Sequence, residues 1–201
     1  RFERAMRGGG EVRVTTAAGT DLRFSIGDRP VNRQDGDASA ARTDRGLILI
    51  DREIELPAGA GFVRLASSDP SVQPRFDYRY FSHPEDMRRM RDGIRLAVKI
   101  LETDAYRDVS EARVAPTEDI LSDDGALDLW IRQTVGSARH VSGTCKIGPD
   151  SDPMAVVDQQ CRVKGFQGLW VADSSVMPQV TRANANATAI MIGERVSEWA
   201  A

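Results

Sequence analysis

The sequence predicts an α+β fold, an antiparallel sheet with flanking helices, and three observations lead there. Short runs of alternating apolar and polar residues recur through the first eighty positions, which is strand patterning. Residues 82–104 then change to the spacing of a long amphipathic helix. The last sixty residues alternate short apolar runs with turn residues and close on a further helix pattern, "TAIMIGERVSEWA".

The elements follow in order. "EVRVTTAAGTDLRFSI", residues 11–26, reads as two short strands: Val12 and Val14 alternate with charge, and Leu22, Phe24 and Ile26 alternate again across "AAGTD" turn chemistry. Residues 28–45 are polar, with Asp35-Gly36 as a turn, and "GLILIDREIEL" supplies another strand or pair of strands. "PAGAG", residues 57–61, is the strongest punctuation in the chain. Beyond it "GFVRLAS" is a strand, "SDPSVQP" a turn, and "RFDYRYF" alternates aromatic with charged residues as a half-buried strand does.

The helix starting at Pro84 has Ser82 as its predicted N-cap, with Glu85 and Asp86 suited to the positive end of its dipole. Met87, Met90, Ile94, Ala97, Val98 and Leu101 share one face, so the methionines read as core. A second helix is expected around Ala126–Val135, capped by Asp123 or Asp124. "AVVD" then reads as a short strand, "VKGFQG" as a turn, "LWVAD" as a buried strand and "SSVMPQVTRANANA" as a loop.

Composition excludes several functions. A chain of 201 residues makes one large domain or two small ones, and 41% hydrophobic with 28% charged content is that of an ordinary globular protein. The net charge of −3 gives no footprint for nucleic acid. Apolar runs such as "GLILI" are too short to span a bilayer, and "RFERAMRGGG" has no apolar core segment, so neither a membrane span nor a secretory signal is expected. Cys145 and Cys161 read as two free thiols of a cytoplasmic protein. No ligand spacing for zinc occurs, and the two histidines, His83 and His140, lie far apart in sequence; no metal site is expected.

His140 stands in "ARHVSGTCKIG", among Ser142, Gly143 and Thr144. Alone it reads as a surface or packing residue. Its company changes that reading. "LWVADSSVMP" is a strand that ends in Asp173 and breaks at a turn, and strand ends are where α/β folds place ligands. "NANAT" precedes a helix, whose first N–H groups face any oxygen-rich ligand. Simple capping by Asn184 or Asn186 accounts for one asparagine and not for both.

The stretch "RHVSGTCKIGPDSDPMAVVDQQCRVKGFQGLWVADSSVMPQVTRANANATAIMIGERVSEWA" resembles the C-terminal segment of the glucose–methanol–choline (GMC) flavoprotein oxidoreductases. "GFVRLASSDPSVQPRFDYRYFSHPEDMRRMRDGIRLAVKIL" is similar to that family's substrate-domain segment, so the resemblance covers residues 61–201. The His-x-x-Gly-Thr, Val-Ala-Asp-x-Ser-x-x-Pro and Asn-x-Asn-Ala elements occur in the family's order. The resemblance implies a GMC substrate-domain fold with a C-terminal strand and helix of the FAD-binding domain. It implies FAD as cofactor and oxidation of a small-molecule alcohol, as in choline dehydrogenase. His140 matches the catalytic histidine and Asn184 its partner position. Ala172 and Asp173 match the strand end near the flavin's phosphate and ribityl portion, and Asn186, Ala187 and Thr188 match the helix start beside its pyrimidine ring.

The chemistry suits these residue types. Alcohol oxidation removes a hydroxyl proton and delivers a hydride to flavin N5. An imidazole, with an ordinary pKa of about 6.5, accepts a proton at physiological pH. An amide orients the substrate oxygen without titrating. A helix N-terminus stabilises negative charge on the reduced ring. No G-x-G-x-x-G follows a strand in this sequence, because "RGGGEV" precedes one and has the wrong spacing. The dinucleotide fingerprint of the family is thus missing, and the chain by itself is expected to be inactive.

Residues 1–60 resemble the middle of aminopeptidase T-type metallo-aminopeptidases, in which a Gly-Thr-Asp-Leu segment precedes Leu-Pro-x-Gly-Glu. Ala60 stands where that family has its metal-ligating glutamate, and together with the scarcity of histidine this argues against a metal-dependent hydrolase. The alternative is a divergent β-rich insertion. The expected organisation is a β-rich segment over 1–60, a substrate-binding domain over 61–139 and a catalytic, FAD-contacting segment over 140–201. A rival reading makes the chain a non-catalytic remnant or fusion product that acts as an interaction module. Apolar surface left exposed in either case implies self-association.

Overall fold

β1 (Gly10–Thr15), β2 (Asp21–Arg29) and β3 (Leu47–Ile54) form an antiparallel sheet in chain order. Val12 stands opposite Phe24, and Ile26 opposite Ile50, so the alternation read from the sequence runs in register across the sheet. The computed structural model describes residues 10–15, 21–29, 47–107 and 112–200. The predicted turns at residues 17–20 and at Asp35-Gly36 lie outside these. Sheet and helices together make an α+β fold, as the sequence predicts.

The chain divides into two compact units, each assembled from two separate stretches: Arg1–Ile54 with His83–Gly136, and Glu55–Ser82 with Ser137–Ala201. In the first unit α1 (Pro84–Leu101) lies against β3, and a short α2 (Asp104–Arg107) follows it. After α3 (Glu118–Ser122), α4 (Asp124–Thr134) packs on α1. The apolar stripe predicted for α1 buries Met87, Ile94, Ala97 and Val98, while α4 buries Leu127 and Ile131. Ile94 and Leu127 are the fully enclosed side chains here, each worth roughly 1.5–3 kcal/mol of transfer free energy. Arg91 reaches Asp128 at 2.7 Å and Asp124 at 3.6 Å, joining the two helices with pairs that add register more than stability.

The caps differ in one place from expectation. α4 starts as predicted, with the Asp123 carboxylate accepting the Ala126 N–H at 2.7 Å. The N-cap of α1 is His83 and not Ser82: its Nδ1 accepts the Glu85 N–H at 3.3 Å. Pro84 has to occupy the first helical position, where its missing N–H costs nothing, and that leaves His83 as the capping residue.

In the second unit β4 (Phe62–Arg64) and β5 (Arg75–Asp77) pair antiparallel, with Phe62 opposite Asp77. Gly61 permits the crossing, since a Cβ there would overlap the Asp77 carbonyl oxygen. The half-buried strand predicted over "RFDYRYF" ends after three exposed residues. The Asp77 carboxylate accepts the Arg79 N–H at 3.1 Å, and Arg79 and Phe81 adopt left-handed φ of 50° and 57°, which breaks the pleat. Tyr78 and Tyr80 stack with ring centroids 5.1 Å apart.

Residues 137–200 wind around a core of Val157, Cys161, Val176 and Val196, flanked by Ile147, Trp170, Val171 and Ile192. The strands predicted at "AVVD" and "LWVAD" are reduced to single bridges, Ile147 to Val157, Val157 to Val163 and Arg162 to Trp170. Cys161 at φ 59° and the glycines at 165 and 168 turn the chain away after each pairing, so no ladder extends. Leu169 is 47% exposed as a result, where a buried strand residue was predicted. The closing helix, α5 (Asn186–Ala200), turns Val196 and Ile192 toward this core and leaves Ile190 and Met191 at 58% and 55% exposure.

Candidate active site

His140 follows a left-handed residue, Arg139 at φ 63°, whose N–H is held by Ser137 Oγ at 3.0 Å. This local turn, rather than a helix or strand, sets the direction of the histidine, which is half-buried. From Val141 onward the chain runs beside a short 3-10 turn, Ser174–Val176. Gly143, Cys145 and Ile147 donate their N–H groups to the carbonyls of Ser174, Ser175 and Val176 at 3.4, 2.9 and 2.8 Å. Gly143 has φ 82°, and a Cβ on it would come within 3.3 Å of the Met177 carbonyl oxygen. Glycine at position 143 is therefore required by the backbone path.

Asp173 precedes that 3-10 turn and caps it: its carboxylate accepts the Ser175 N–H at 2.8 Å. Ala172 and Asp173 are exposed, so the end of this predicted strand is open to solvent although only Trp170 pairs in it. α5 passes close by, with the Cβ position of Gly193 3.8 Å from the Ala172 carbonyl oxygen. The His140 loop, the Ala172–Asp173 end and α5 are thus brought together through backbone contacts.

Asn186, Ala187 and Thr188 form the first turn of α5, whose N–H groups an α-helix leaves without internal partners. The capping position belongs to Ala185, whose carbonyl accepts the Ala189 N–H at 2.9 Å. Ala185 is buried and has no side-chain acceptor, so neither Asn184 nor Asn186 caps the helix. Asn184 is exposed, and among the described residues no hydrogen bond joins it to His140.

Sequence reasoning missed Ser174. Its hydroxyl donates to the Val141 carbonyl at 3.2 Å, across thirty-three positions of chain. No local pattern signals such a bond. Gly143 was legible as a turn residue, but its contact with Met177 was not.

Scaffolding charges lie away from this loop. Lys146 pairs with Asp152 at 2.7 Å, and that ammonium, together with the Met154 N–H, holds the Asp152 carboxyl below its usual range. Burial pushes the Asp158 carboxyl up, but hydrogen bonds from Arg162 and the Gln160 N–H outweigh it and leave Asp158 low. A depression of about 450 Å³ lies at the 163–170 turn beside Asp158, lined by Arg162, Lys164, Phe166 and Trp170. It is remote in sequence from His140, and both of its cations are engaged, Arg162 by Asp158 at 2.7 Å and Lys164 by Asp150 at 3.3 Å. Cys145 and Cys161 are unpaired thiols, as predicted. Among the described residues no cluster of metal-ligating side chains occurs, and no helix is long and apolar enough to cross a membrane.

A family model, GMC oxidoreductase, matches residues 57–193. The chain belongs to the GMC oxidoreductase family. It is 41% identical over 142 residues to the oxygen-dependent choline dehydrogenase of Photobacterium profundum, covering 71% of this chain and 25% of that protein. It is 42% identical over 143 residues to that of Rhizobium rhizogenes, covering 71% and 26%. The chain therefore spans about a quarter of the length of the curated relatives it matches.

Solved structures share the fold. Pyridoxine 4-oxidase from Mesorbium loti superposes with a TM-score of 0.73 at 23% identity, over 89% of this chain and 34% of that one. A new fungal aryl-alcohol oxidase superposes with a TM-score of 0.65 at 26% identity, over 88% and 27%. Residues 61–201 make up about 70% of the chain, so these matches take in part of the first sixty residues as well. The aminopeptidase resemblance of residues 1–60 finds no support, and at least part of that segment belongs to the same fold.

The family implies FAD, and the donor set fits one side of it. First-turn amides of α5, in the same unit as the open Ala172–Asp173 end and the His140 loop, suit an oxygen-rich ring edge. The glycine-rich turn that receives a pyrophosphate is missing from the sequence.

Proposed function

We propose that this chain is the substrate-side, C-terminal part of an FAD-dependent oxidoreductase acting on CH–OH groups, similar to choline dehydrogenase. The observation that carries the reading is the seating of the His140 loop on the Ser174–Val176 turn, beside the open end at Ala172–Asp173. When bound, FAD supplies the acceptor for the hydride. His140 takes the hydroxyl proton of a small-molecule alcohol at a ring nitrogen. Asn184, exposed to solvent, orients the substrate oxygen through its amide. The first-turn amides of Asn186, Ala187 and Thr188 would hold the pyrimidine end of the flavin and favour negative charge there. Ala172 and Asp173 would hold its phosphate and ribityl portion.

On this reading residues 61–139 serve the substrate side, and residues 140–201 supply catalysis and flavin contacts. Lacking the glycine fingerprint, the chain by itself is inactive. Two unpaired thiols suit a reducing, cytoplasmic compartment. The experiment is anaerobic flavin reduction by an alcohol in a complete GMC enzyme carrying this segment. Wild-type rates with His140→Ala would remove the base from the proposal.

A second reading, an interaction module without catalysis, is favoured by the exposure of Leu169, Ile190 and Met191. Recovery of alcohol-dependent flavin reduction in the complete enzyme decides against it.

A further inference from the structure

We infer that Ser174 is a positioning residue for His140, holding the histidine loop at the strand end by a hydroxyl tether. The inference rests on the reading of His140 as proton acceptor. Three backbone bonds seat the segment after the histidine, and they lengthen toward it: 2.8 Å at Ile147, 2.9 Å at Cys145 and 3.4 Å at Gly143. The ladder is weakest at the end where the aim of the ring is set. There the Ser174 hydroxyl donates to the Val141 carbonyl at 3.2 Å, one residue from His140.

The other side of the histidine has only its own turn, Arg139 N–H to Ser137 Oγ at 3.0 Å, with Arg139 in the left-handed region. Without the Ser174 hydroxyl, the long Gly143 bond alone ties this end of the loop to the body of the unit. Ser174 is itself well fixed. Its carbonyl accepts the Met177 N–H at 3.2 Å, and the preceding Asp173 is locked by its cap on the Ser175 N–H. The anchor is therefore tied on both sides, whereas the loop end beside His140 has fewer bonds to hold it. A serine hydroxyl turns about one bond, so little entropy is lost in making the tether.

The chain has two histidines, which makes the test direct. Imidazole and amide NMR spectra of the 201-residue protein are recorded for wild type, Ser174→Ala and Ser174→Thr, with His83 as internal control. Ser174→Ala is expected to raise amide exchange at Gly143 and Cys145 about fivefold, the effect of losing one ordinary hydrogen bond. It shifts or broadens the His140 ring signals, leaves those of His83 in place and changes Tm little. Ser174→Thr, which keeps the hydroxyl, restores the wild-type values. The tether is overturned if Ser174→Ala leaves the His140 signals and the Gly143 exchange unchanged, or if Ser174→Thr behaves like Ser174→Ala. Failure of the base assignment is read separately, in flavin reduction by His140→Ala. Unimpaired reduction there, with a loop still loosened by Ser174→Ala, rejects the base and keeps the tether.

Discussion

The Cβ that Gly143 lacks would sit 3.3 Å from the carbonyl oxygen of Met177, and Gly143 holds φ at 82°. Both facts exclude a side chain, the second more strongly. A residue with a Cβ loses roughly 1–2 kcal/mol in the left-handed region, before any adjustment of Met177. Gly143→Ala is therefore expected to lower the unfolding free energy by that amount, read as a drop in the urea midpoint, and to displace the segment carrying His140. An unchanged midpoint would show that the chain takes another path there.

His140→Ala should cut alcohol-driven flavin reduction in a complete enzyme by about two to four orders of magnitude, the contribution of a positioned general base. Asn184→Ala should fall between this variant and wild type, since orientation is lost while the base remains. His83 separates chemistry from folding. Its ring caps α1 through the Glu85 N–H at 3.3 Å, so His83→Ala should cost about 0.5–2 kcal/mol of stability and leave turnover intact. Single-turnover rates recorded with Tm decide, and comparable losses of turnover at both histidines would end the assignment.

The isolated chain should bind FAD weakly. The α5 start offers amides to one end of the cofactor, whereas the pyrophosphate depends on a glycine-rich turn that the sequence does not contain. Flavin fluorescence titration tests this, and a submicromolar Kd contradicts it.

Association is expected at the face formed by exposed residues of α5. Ile190 and Met191 are adjacent and more than half exposed, while Ile192 and Val196 are spent on the core. Ile190→Glu should reduce the apparent mass in light scattering without shifting Tm, because the side chain has little burial to lose. A wild-type chain that stays monomeric at high concentration with no dye-binding surface contradicts the expectation.

Cys161 is buried, and burial followed by the Asp158 charge raises its thiol pKa. A raised pKa means that the folded state holds the proton longer than the unfolded chain. The stability this supplies is complete below the ordinary thiol range and is lost as pH climbs through the raised value. Urea midpoints should thus fall as pH rises from the ordinary thiol value of about 8.5 upward, less so in Cys161→Ala. Alkylation of the native protein should label Cys145 well before Cys161.

The legible parts of the molecule are those with local causes. The stripe from Met87 to Val98 and the acidic start at Glu85 and Asp86 define α1 from sequence alone, because helix periodicity and dipole preference act within a few residues. The cap was misplaced by one position, since a histidine Nδ1 stands outside the usual serine, threonine and aspartate preference. Apolar runs such as Leu169–Val171 look like a strand, yet pairing stops after one bridge, and the left-handed Cys161 that enforces this carries no signal in its residue type. The same applies around His140. The motif picks out the residue, but its setting depends on Arg139 φ and on a Ser174 bond across the sequence, both products of tertiary structure.

The unit that holds the His140 loop is discontinuous, with residues 83–136 of the other unit threaded between its two stretches. During synthesis the β4–β5 ribbon is made before the rest of its unit, which is complete only when residues 137–200 have followed. At about 5–20 residues per second that interval is roughly 6–24 s. Over that time the ribbon, whose Phe62, Phe76 and Tyr78 stay 40%, 56% and 44% exposed even in the finished unit, is open to holdase chaperones, whereas the helical unit is complete at residue 136. Slowing elongation across residues 83–136, which lengthens that interval, should therefore harm the yield of this protein more than slowing it across residues 10–54.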